Sequence, residues 1–206
     1  MGQGSQTAYS SRVDIYDAIA KSWSQAELSQ PRGYLAAATH KGTSRIYFAG
    51  GFAGRNFENS AAMIFSDRVD VYDTSTSSWS LLTLSVGRGG ESFGYQTPTS
   101  GMPLESLIFS TDLAGAAIAW RNMVVFAGGT NSGGSSDVID VYDEGAGSWS
   151  TERLSMPRSG LRGATVGGNY SVFVGGMWAD DDRSDWILSL SYSPTFRRPM
   201  TSRHVY

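Results

Sequence analysis

The chain of 206 residues contains no cysteine and only two histidines, His40 and His204. The missing cysteine excludes disulfides, thiolate metal sites and cysteine nucleophiles, although it suits a cytosolic and an extracellular protein equally well. With two histidines far apart in the sequence, neither a histidine-based zinc or copper site nor a Ser-His-Asp set is expected. We therefore expect no catalytic residues, no metal and no cofactor.

Charged residues and long apolar runs are also scarce. The charged fraction is 17% and the formal net charge is −3, so nothing favours a nucleic acid or an anionic membrane surface as a partner. No apolar stretch approaches the roughly 18 residues that a membrane-spanning segment needs. The start, MGQGSQTAYSS, lacks the basic run and apolar core of a signal peptide. We expect no membrane insertion, and the cellular compartment stays open.

One phrase is present three times: RVDIYDAIAKSWS at 12–24, RVDVYDTSTSSWS at 68–80 and VIDVYDEGAGSWS at 138–150. The distance from tyrosine to tryptophan is seven residues in each copy. The pairs are Tyr16 and Trp23, Tyr72 and Trp79, and Tyr142 and Trp149. Chance does not hold such a spacing three times, so the chain is a repeat protein.

The repeat extends beyond this phrase. An arginine follows each tryptophan at nine residues, and a small-residue strand and a hydrophobic strand ending in two glycines come next. The arginines are Arg32, Arg88 and Arg158; the glycines are Gly50 and Gly51, Gly128 and Gly129, and Gly175 and Gly176. Valine or isoleucine alternating with aspartate predicts a half-buried strand, and the polar, glycine-containing turn after it predicts a hairpin. Each repeat therefore predicts four short strands and no helix.

The diglycine, Tyr-Asp and Trp at fixed spacing resemble the kelch-repeat β-propeller family over about residues 12–192. The period without insertions is about 48 residues, close to the kelch period of roughly 50. The resemblance implies an all-β, kelch-type β-propeller with four-stranded antiparallel blades. It also implies structural roles for the repeated glycines, tyrosines and tryptophans, with the aromatic rings filling the wedge between blades. Residues 1–11 and 193–206 are predicted to be tails.

About three and a half repeats are present, whereas propellers typically have four to eight blades. DWILSLSYSP at 185–194 is predicted to be a further third strand, with no Trp strand after it. Either the chain is a segment of a longer propeller, or further copies or a partner chain complete the ring, or three blades close on themselves. Half-exposed end blades would invite association.

Two insertions, at about 52–65 and 91–110, interrupt the period. Repeat proteins place such insertions on one face, which is often the binding face. Both insertions are rich in aromatic residues that are costly to leave in water. Phe57, Phe93 and Tyr95 are therefore candidate partner-binding residues.

The repeated arginines are a second candidate binding site. MPRSGLRGA is similar to the P-R-S-G stretch with which kelch adaptors of ubiquitin ligases grip acidic peptides, which implies partner-binding roles for Arg32, Tyr34, Arg88, Arg158 and Ser159. Arginine forks suit carboxylates. The alternative is that each arginine pairs with an aspartate or glutamate of its own blade or caps a turn.

Some kelch propellers are enzymes, notably copper-radical oxidases similar to galactose oxidase, but those need a cysteine-crosslinked tyrosine and histidine ligands. The one acidic cluster comprises Asp180, Asp181, Asp182 and Asp185. Its spacing does not fit the usual calcium loop, so a solvated loop is the simpler interpretation.

These observations favour a non-enzymatic protein-interaction or scaffold module that belongs to a larger assembly. Its partner would be another protein or further copies of the same chain. The first alternative is a carbohydrate-binding or glycan-acting extracellular propeller, with exposed aromatic rings stacking on sugars. The second is a surface-assembly subunit whose ring is completed by its neighbours.

Overall fold

The computed structural model describes residues 9–39, 43–56, 62–89, 114–118, 122–166, 170–177 and 188–192. Every regular element in these ranges is a β-strand, and they contain no helix that could cross a membrane. The strands are β1 (Arg12–Asp17), β2 (Ser22–Glu27), β3 (Ala36–Thr39), β4 (Arg45–Ala49), β5 (Phe52–Asn56), β6 (Ala62–Phe65), β7 (Arg68–Asp73), β8 (Ser78–Thr83), β9 (Ala114–Ile118), β10 (Met123–Ala127), β11 (Thr130–Asn131), β12 (Gly134–Ser135), β13 (Val138–Asp143), β14 (Ser148–Arg153), β15 (Arg162–Val166), β16 (Tyr170–Val174) and β17 (Leu188–Tyr192).

Two four-stranded sheets have the same order and come from corresponding parts of the repeat. The first complete sheet has the order β3-β4-β7-β8, and the second has the order β9-β10-β13-β14. All of their pairings are antiparallel. The all-β, antiparallel fold that the sequence predicts is confirmed.

Two further sheets contain part of the same unit. β1 and β2 form the N-terminal hairpin, which corresponds to the outer pairs β7–β8 and β13–β14. β15, β16 and β17 form the third sheet, which corresponds to the first three strands of a complete sheet. β17 lies within the segment 185–194, where the sequence predicts a third strand.

β10, an inner strand of the second complete sheet, is buried on both faces, which explains its unbroken apolar run MVVFA. Val124 and Phe126 pack into one core with the first complete sheet, whereas Val125 and Ala127 pack into another core that includes Phe173 of the third sheet. Successive side chains of a strand point to opposite faces, so this division follows from the pleat. Each fully buried valine or phenylalanine contributes about 1.5–3 kcal/mol.

The diglycines end the second strand of each unit, as predicted. All six have positive φ, between 65° and 106°, a conformation that glycine adopts without steric cost. A Cβ at Gly51 would lie 2.7 Å from the carbonyl oxygen of Gly33, and one at Gly176 would lie 2.6 Å from that of Ser159. The glycines therefore permit close backbone contact with the segment that precedes each sheet.

A small hairpin follows each of the first two diglycines. The longer one, β5–β6, is the insertion predicted at 52–65, and the shorter one, β11–β12, occupies the corresponding place in the next unit. The longer insertion is thus an extended hairpin with a bulge after Phe52, rather than an irregular loop. Its Phe52 ring packs 5.8 Å from the Phe65 ring, so these two aromatic residues shield each other.

Candidate functional site

The repeated arginines lie in segments that connect one unit to the next. Each segment contains a buried leucine and then a buried arginine: Leu28 and Arg32, Leu84 and Arg88, and Leu154 and Arg158. The backbone of each segment is held by residues that lie just before the Tyr–Trp hairpin from which the segment leads. Thus the amide of Arg88 donates to the Ser66 carbonyl at 3.2 Å, and that of Arg158 donates to the Ser136 carbonyl at 3.0 Å.

Arg32 enters the first complete sheet and pairs with the first aspartate of the V-D-V-Y-D phrase. Its Nη2 donates to Asp70 Oδ2 at 2.6 Å and to the Phe48 carbonyl at 3.0 Å. The amide of Ser29 also donates to Asp70, at 2.9 Å. The aspartate is therefore bound by two residues of the segment that leads from the N-terminal hairpin into this sheet.

Arg88 repeats this arrangement in the second complete sheet. Its Nη1 lies 2.6 Å from Asp140 Oδ2, both side chains are wholly buried, and Nη2 donates to the Phe126 carbonyl at 3.1 Å. The Nη1–Oδ2 contact is a close charge pair without a well-directed hydrogen bond. Burial lowers the pKa of Arg88, and the nearby Asp140 carboxylate opposes that shift.

Arg158 is the third member of the series and has different surroundings. It is buried, its Nη1 donates to the Gly175 carbonyl at 3.0 Å, and burial lowers its pKa. The register of β16 with β17 places Ser189 opposite Phe173. In the complete sheets the corresponding phenylalanines lie opposite Asp70 and Asp140. The third unit therefore has serine at the position of the arginine-binding aspartate.

A backbone bridge accompanies each arginine. The residue after the arginine pairs with the residue after the next diglycine: Gly33 with Phe52, Gly89 with Thr130, and Ser159 with Met177. Ser159 and Met177 exchange two hydrogen bonds, at 2.9 and 2.8 Å. These bridges fasten the arginine segments to the sheets, and Ser159 is buried as a result.

This geometry supports the structural alternative for the arginines. Arg32, Arg88 and Arg158 are buried by residues of their own chain, so their guanidinium groups do not form an open ring for an acidic ligand. Ser159 is buried with them. Tyr34 is half-buried and lies edge-on to Tyr9, with ring centroids 6.4 Å apart. Phe57, Phe93 and Tyr95 lie outside the described residues, where their partner-binding role stays a prediction.

The second aspartate of each phrase closes the hairpin turn. Asp17 Oδ1 accepts bonds from the amides of Ile19 and Ala20 at 2.8 and 2.9 Å, which lower the pKa of Asp17. Asp143 repeats this contact with the two amides that follow it in its own turn. Asp73 accepts from the Ser44 hydroxyl at 2.6 Å, and this bond is the first cause of its lowered pKa.

The tyrosine and tryptophan of each phrase lie directly opposite each other on the two strands of a hairpin. Their ring centroids are 5.0, 4.8 and 4.9 Å apart, from the first copy to the third. Such cross-strand aromatic contacts stabilise antiparallel pairs. This register explains the constant spacing of seven residues between tyrosine and tryptophan. The two residues are opposite each other in each hairpin, and the turn between them has the same length in all three copies.

The exposure of these aromatic pairs differs strongly between copies. Tyr142 is 9% exposed and packs against Tyr47 of the first complete sheet, whereas Tyr16 is 51% and Trp23 is 70% exposed. Trp79 and Trp149 are half-buried. The aromatic pair of the first copy is therefore exposed, because no described sheet covers its outer face.

A polar contact joins the two complete sheets at their outer edge. The Tyr47 hydroxyl donates to Glu144 in the turn after β13, and desolvation, with Glu144 second, raises the pKa of Tyr47. The pKa of Arg45 is raised mainly by its contact with Tyr47. This contact orients two neighbouring units, and the repeat pattern contains no signal for it, because the other repeats have valine in place of Tyr47.

Within the described ranges, no three His, Asp or Glu side chains are grouped so that they could hold a metal ion. His40, His204 and the acidic cluster at 180–185 lie outside those ranges. Asp70 and Asp140, which bind Arg32 and Arg88, were predicted only as an unnamed aspartate or glutamate of the same repeat unit. Their signal was present in the first aspartate of the phrase, which recurs as regularly as the arginine does.

No protein-family model and no curated protein sequence matches the chain. Among solved structures, the chain is similar to the structure of YjhT, with 15% sequence identity and a TM-score of 0.49. The match covers 82% of this chain and 45% of the YjhT chain, so the chain spans less than half of the length of that protein. The candidate site accordingly rests on contacts within this chain.

Proposed function

We propose that the chain is a kelch-type β-propeller unit that acts as a non-enzymatic protein-interaction or scaffold module. Support for the architecture comes from two four-stranded antiparallel sheets of one order that stack face to face with a third. Propeller blades are sheets of this kind. The sequence period and the diglycine, Tyr-Asp and Trp pattern favour the same architecture.

The observation that carries the functional proposal is a contrast between the repeated polar residues and the first aromatic pair. Arg32, Arg88 and their aspartates are buried in internal ion pairs. Tyr16 and Trp23 instead present their rings to solvent side by side. Exposed, clustered aromatic residues are typical of protein interfaces, where tyrosine and tryptophan carry much of the binding energy.

Capture of binding proteins tests this function. The chain, the double variant Tyr16→Ser/Trp23→Ser and the control Leu81→Ser would each be used as bait, and bound proteins quantified by mass spectrometry. Leu81 is a suitable control because it is 49% exposed on an outer strand of another sheet. We expect saturable binding that falls at least tenfold in the double variant and persists in the control. Equal capture by all three baits would contradict the proposal.

A second candidate function is carbohydrate binding, because two exposed rings 5.0 Å apart and tilted by 43° could stack on a sugar. A glycan array probed with the same three proteins separates the candidates. A glycan bound by the chain and by Leu81→Ser, but not by the double variant, would favour this second function.

A further inference from the structure

The N-terminal hairpin has one face on which Asp14, Tyr16 and Trp23 correspond to residues that are buried or half-buried in the complete sheets. We call it the outward face. Strand pairing places six residues on it, in three opposed pairs: Arg12 with Glu27, Asp14 with Gln25, and Tyr16 with Trp23. All six are exposed. Among the described strands, β1 pairs only with β2, and no described strand lies along its other edge.

The molecule itself shows twice what lies along the edge of the strand that corresponds to β1 and what contacts its first aspartate. In the complete sheets, the strand corresponding to β1 pairs with an inner strand that ends in a diglycine, β4 for β7 and β10 for β13. The aspartate corresponding to Asp14 is buried beneath an arginine of the segment before that sheet. The unpaired edge of β1, together with Asp14, therefore fits an inner pair of strands preceded by an arginine segment.

The third sheet contains such an inner pair. β15 and β16 follow the Arg158 segment, and β16 ends in Gly175 and Gly176. The strand that pairs with β16 in this structure, β17, differs in sequence from the third strands of the complete sheets. At the register positions where the complete sheets have aspartate and tyrosine, β17 has Ser189 and Ser191. At the equivalent positions β1 has Asp14 and Tyr16, the same residue types as in β7 and β13.

We propose that the partner of the outward face is a second copy of this chain. β1 of one copy pairs with β16 of the other, in place of β17, and Asp14 meets Arg158. The composite sheet has the order β15-β16-β1-β2, the same as the order β3-β4-β7-β8 of the first complete sheet. This inference rests on the proposed function, because it names the protein with which the module interacts.

The number of sheets favours two copies over closure within one. The described sheets of two copies give four complete sheets and two composite ones, a ring of six, which lies within the range of four to eight blades that propellers show. One chain closed on itself gives three. The charges also match, since a carboxylate that is exposed in one copy meets a buried guanidinium group in the other.

Cysteine crosslinking tests the register of the pairing. The chain has no native cysteine, so every disulfide forms between introduced cysteines. By analogy with β4 and β7, Val13 should lie opposite Val174 and Ile15 opposite Val172. Directly opposed Cα atoms are about 4.5–5.5 Å apart, within disulfide range, whereas diagonal neighbours are about 7–8 Å apart. Val13→Cys, Ile15→Cys, Val172→Cys and Val174→Cys would be made as single variants and mixed in pairs, so that any disulfide joins two chains.

We expect crosslinked dimers when Val13→Cys is mixed with Val174→Cys and when Ile15→Cys is mixed with Val172→Cys. The out-of-register mixtures, Val13→Cys with Val172→Cys and Ile15→Cys with Val174→Cys, should give at least tenfold fewer dimers. Adding Asp14→Lys to the Val13→Cys variant should lower crosslinking at least tenfold, while Ser24→Lys, on the opposite face of the hairpin, should not. Each variant must first match the circular dichroism and melting temperature of the parent. The two in-register pairs share no residue. If one variant fails to fold, the other pair still tests the register.

Three outcomes would overturn the inference: no disulfide in any mixture, equal yields in and out of register, or, in a separately made double variant Val13→Cys/Val174→Cys, a disulfide that forms only within one chain. The last outcome would mean closure within a chain. In each case the proposed function would still stand if capture of other proteins depended on Tyr16 and Trp23. If neither in-register crosslinking nor capture that depends on Tyr16 and Trp23 were observed, both proposals would be rejected.

Discussion

At the scale of the residue, the two aspartates of the V-D-x-Y-D phrase have separate structural roles. The first accepts a buried arginine from the segment before its sheet, as Asp70 and Asp140 do, and the second binds amides of the hairpin turn, as Asp17 and Asp143 do. Side chains alternate between the two faces of a strand, so the first aspartate and the tyrosine two residues later point to the same face, toward the preceding unit. This direction explains the first role.

The Arg88–Asp140 pair gives a residue-scale prediction. Removing one partner leaves a buried, uncompensated charge, so Arg88→Met should lower the free energy of unfolding by about 3–5 kcal/mol. The double variant Arg88→Met/Asp140→Leu should recover most of that loss, since two apolar residues leave no buried charge. Urea unfolding followed by tryptophan fluorescence measures both.

Arg153→Met is the matched control, because Arg153 forms a 2.6 Å ion pair with Asp137 while remaining largely exposed. Exposed pairs contribute little to stability, because water screens the two charges. If Arg88→Met cost no more than Arg153→Met, the buried pair would not fasten the sheets together.

At the scale of the element, the hairpins are one structure built from three sequences. The residue five positions after the tyrosine has positive φ in every copy: Lys21 at 51°, Ser77 at 53° and Gly147 at 64°. Residues other than glycine pay about 1–2 kcal/mol for this conformation. The third turn therefore has the residue best suited to it, and the first two carry local strain.

This difference predicts opposite effects of two substitutions at the same turn position. Gly147→Ser should lower the free energy of unfolding by about 1 kcal/mol, and Ser77→Gly should raise it by less than that, because glycine also increases the entropy of the unfolded chain. Thermal unfolding of both variants measures the changes. A gain in stability from Gly147→Ser would contradict the assignment of this turn.

The sequence predicted the elements better than it predicted the roles of their polar residues. The tyrosine–tryptophan spacing and the diglycines located the hairpins and strand ends, because β-structure imposes fixed distances on both. Regular spacing could not tell whether Arg32, Arg88 and Arg158 face a ligand or an internal carboxylate, since either arrangement repeats with the unit. The β5–β6 hairpin was predicted only as an insertion, because the bulge after Phe52 disturbs the alternation of a strand.

At the scale of the whole molecule, burial of the repeated aromatic residues depends on what lies before each unit. Tyr142 is buried because the first complete sheet packs on it, and Tyr16 is exposed because no described sheet occupies the corresponding place. The same side chain in the same register is thus core in one copy and surface in another. Leaving Tyr16 and Trp23 in water forgoes the favourable burial that their counterparts gain, which is the physical reason to expect association.

Sedimentation equilibrium of the unmodified 206-residue chain, from low to high micromolar concentration, tests this expectation most directly. The account predicts a molecular mass about twice that of the 22.1 kDa chain, returning to 22.1 kDa when Asp14→Lys and Trp23→Ser are combined. A mass of 22.1 kDa for the unmodified chain at every concentration would contradict it.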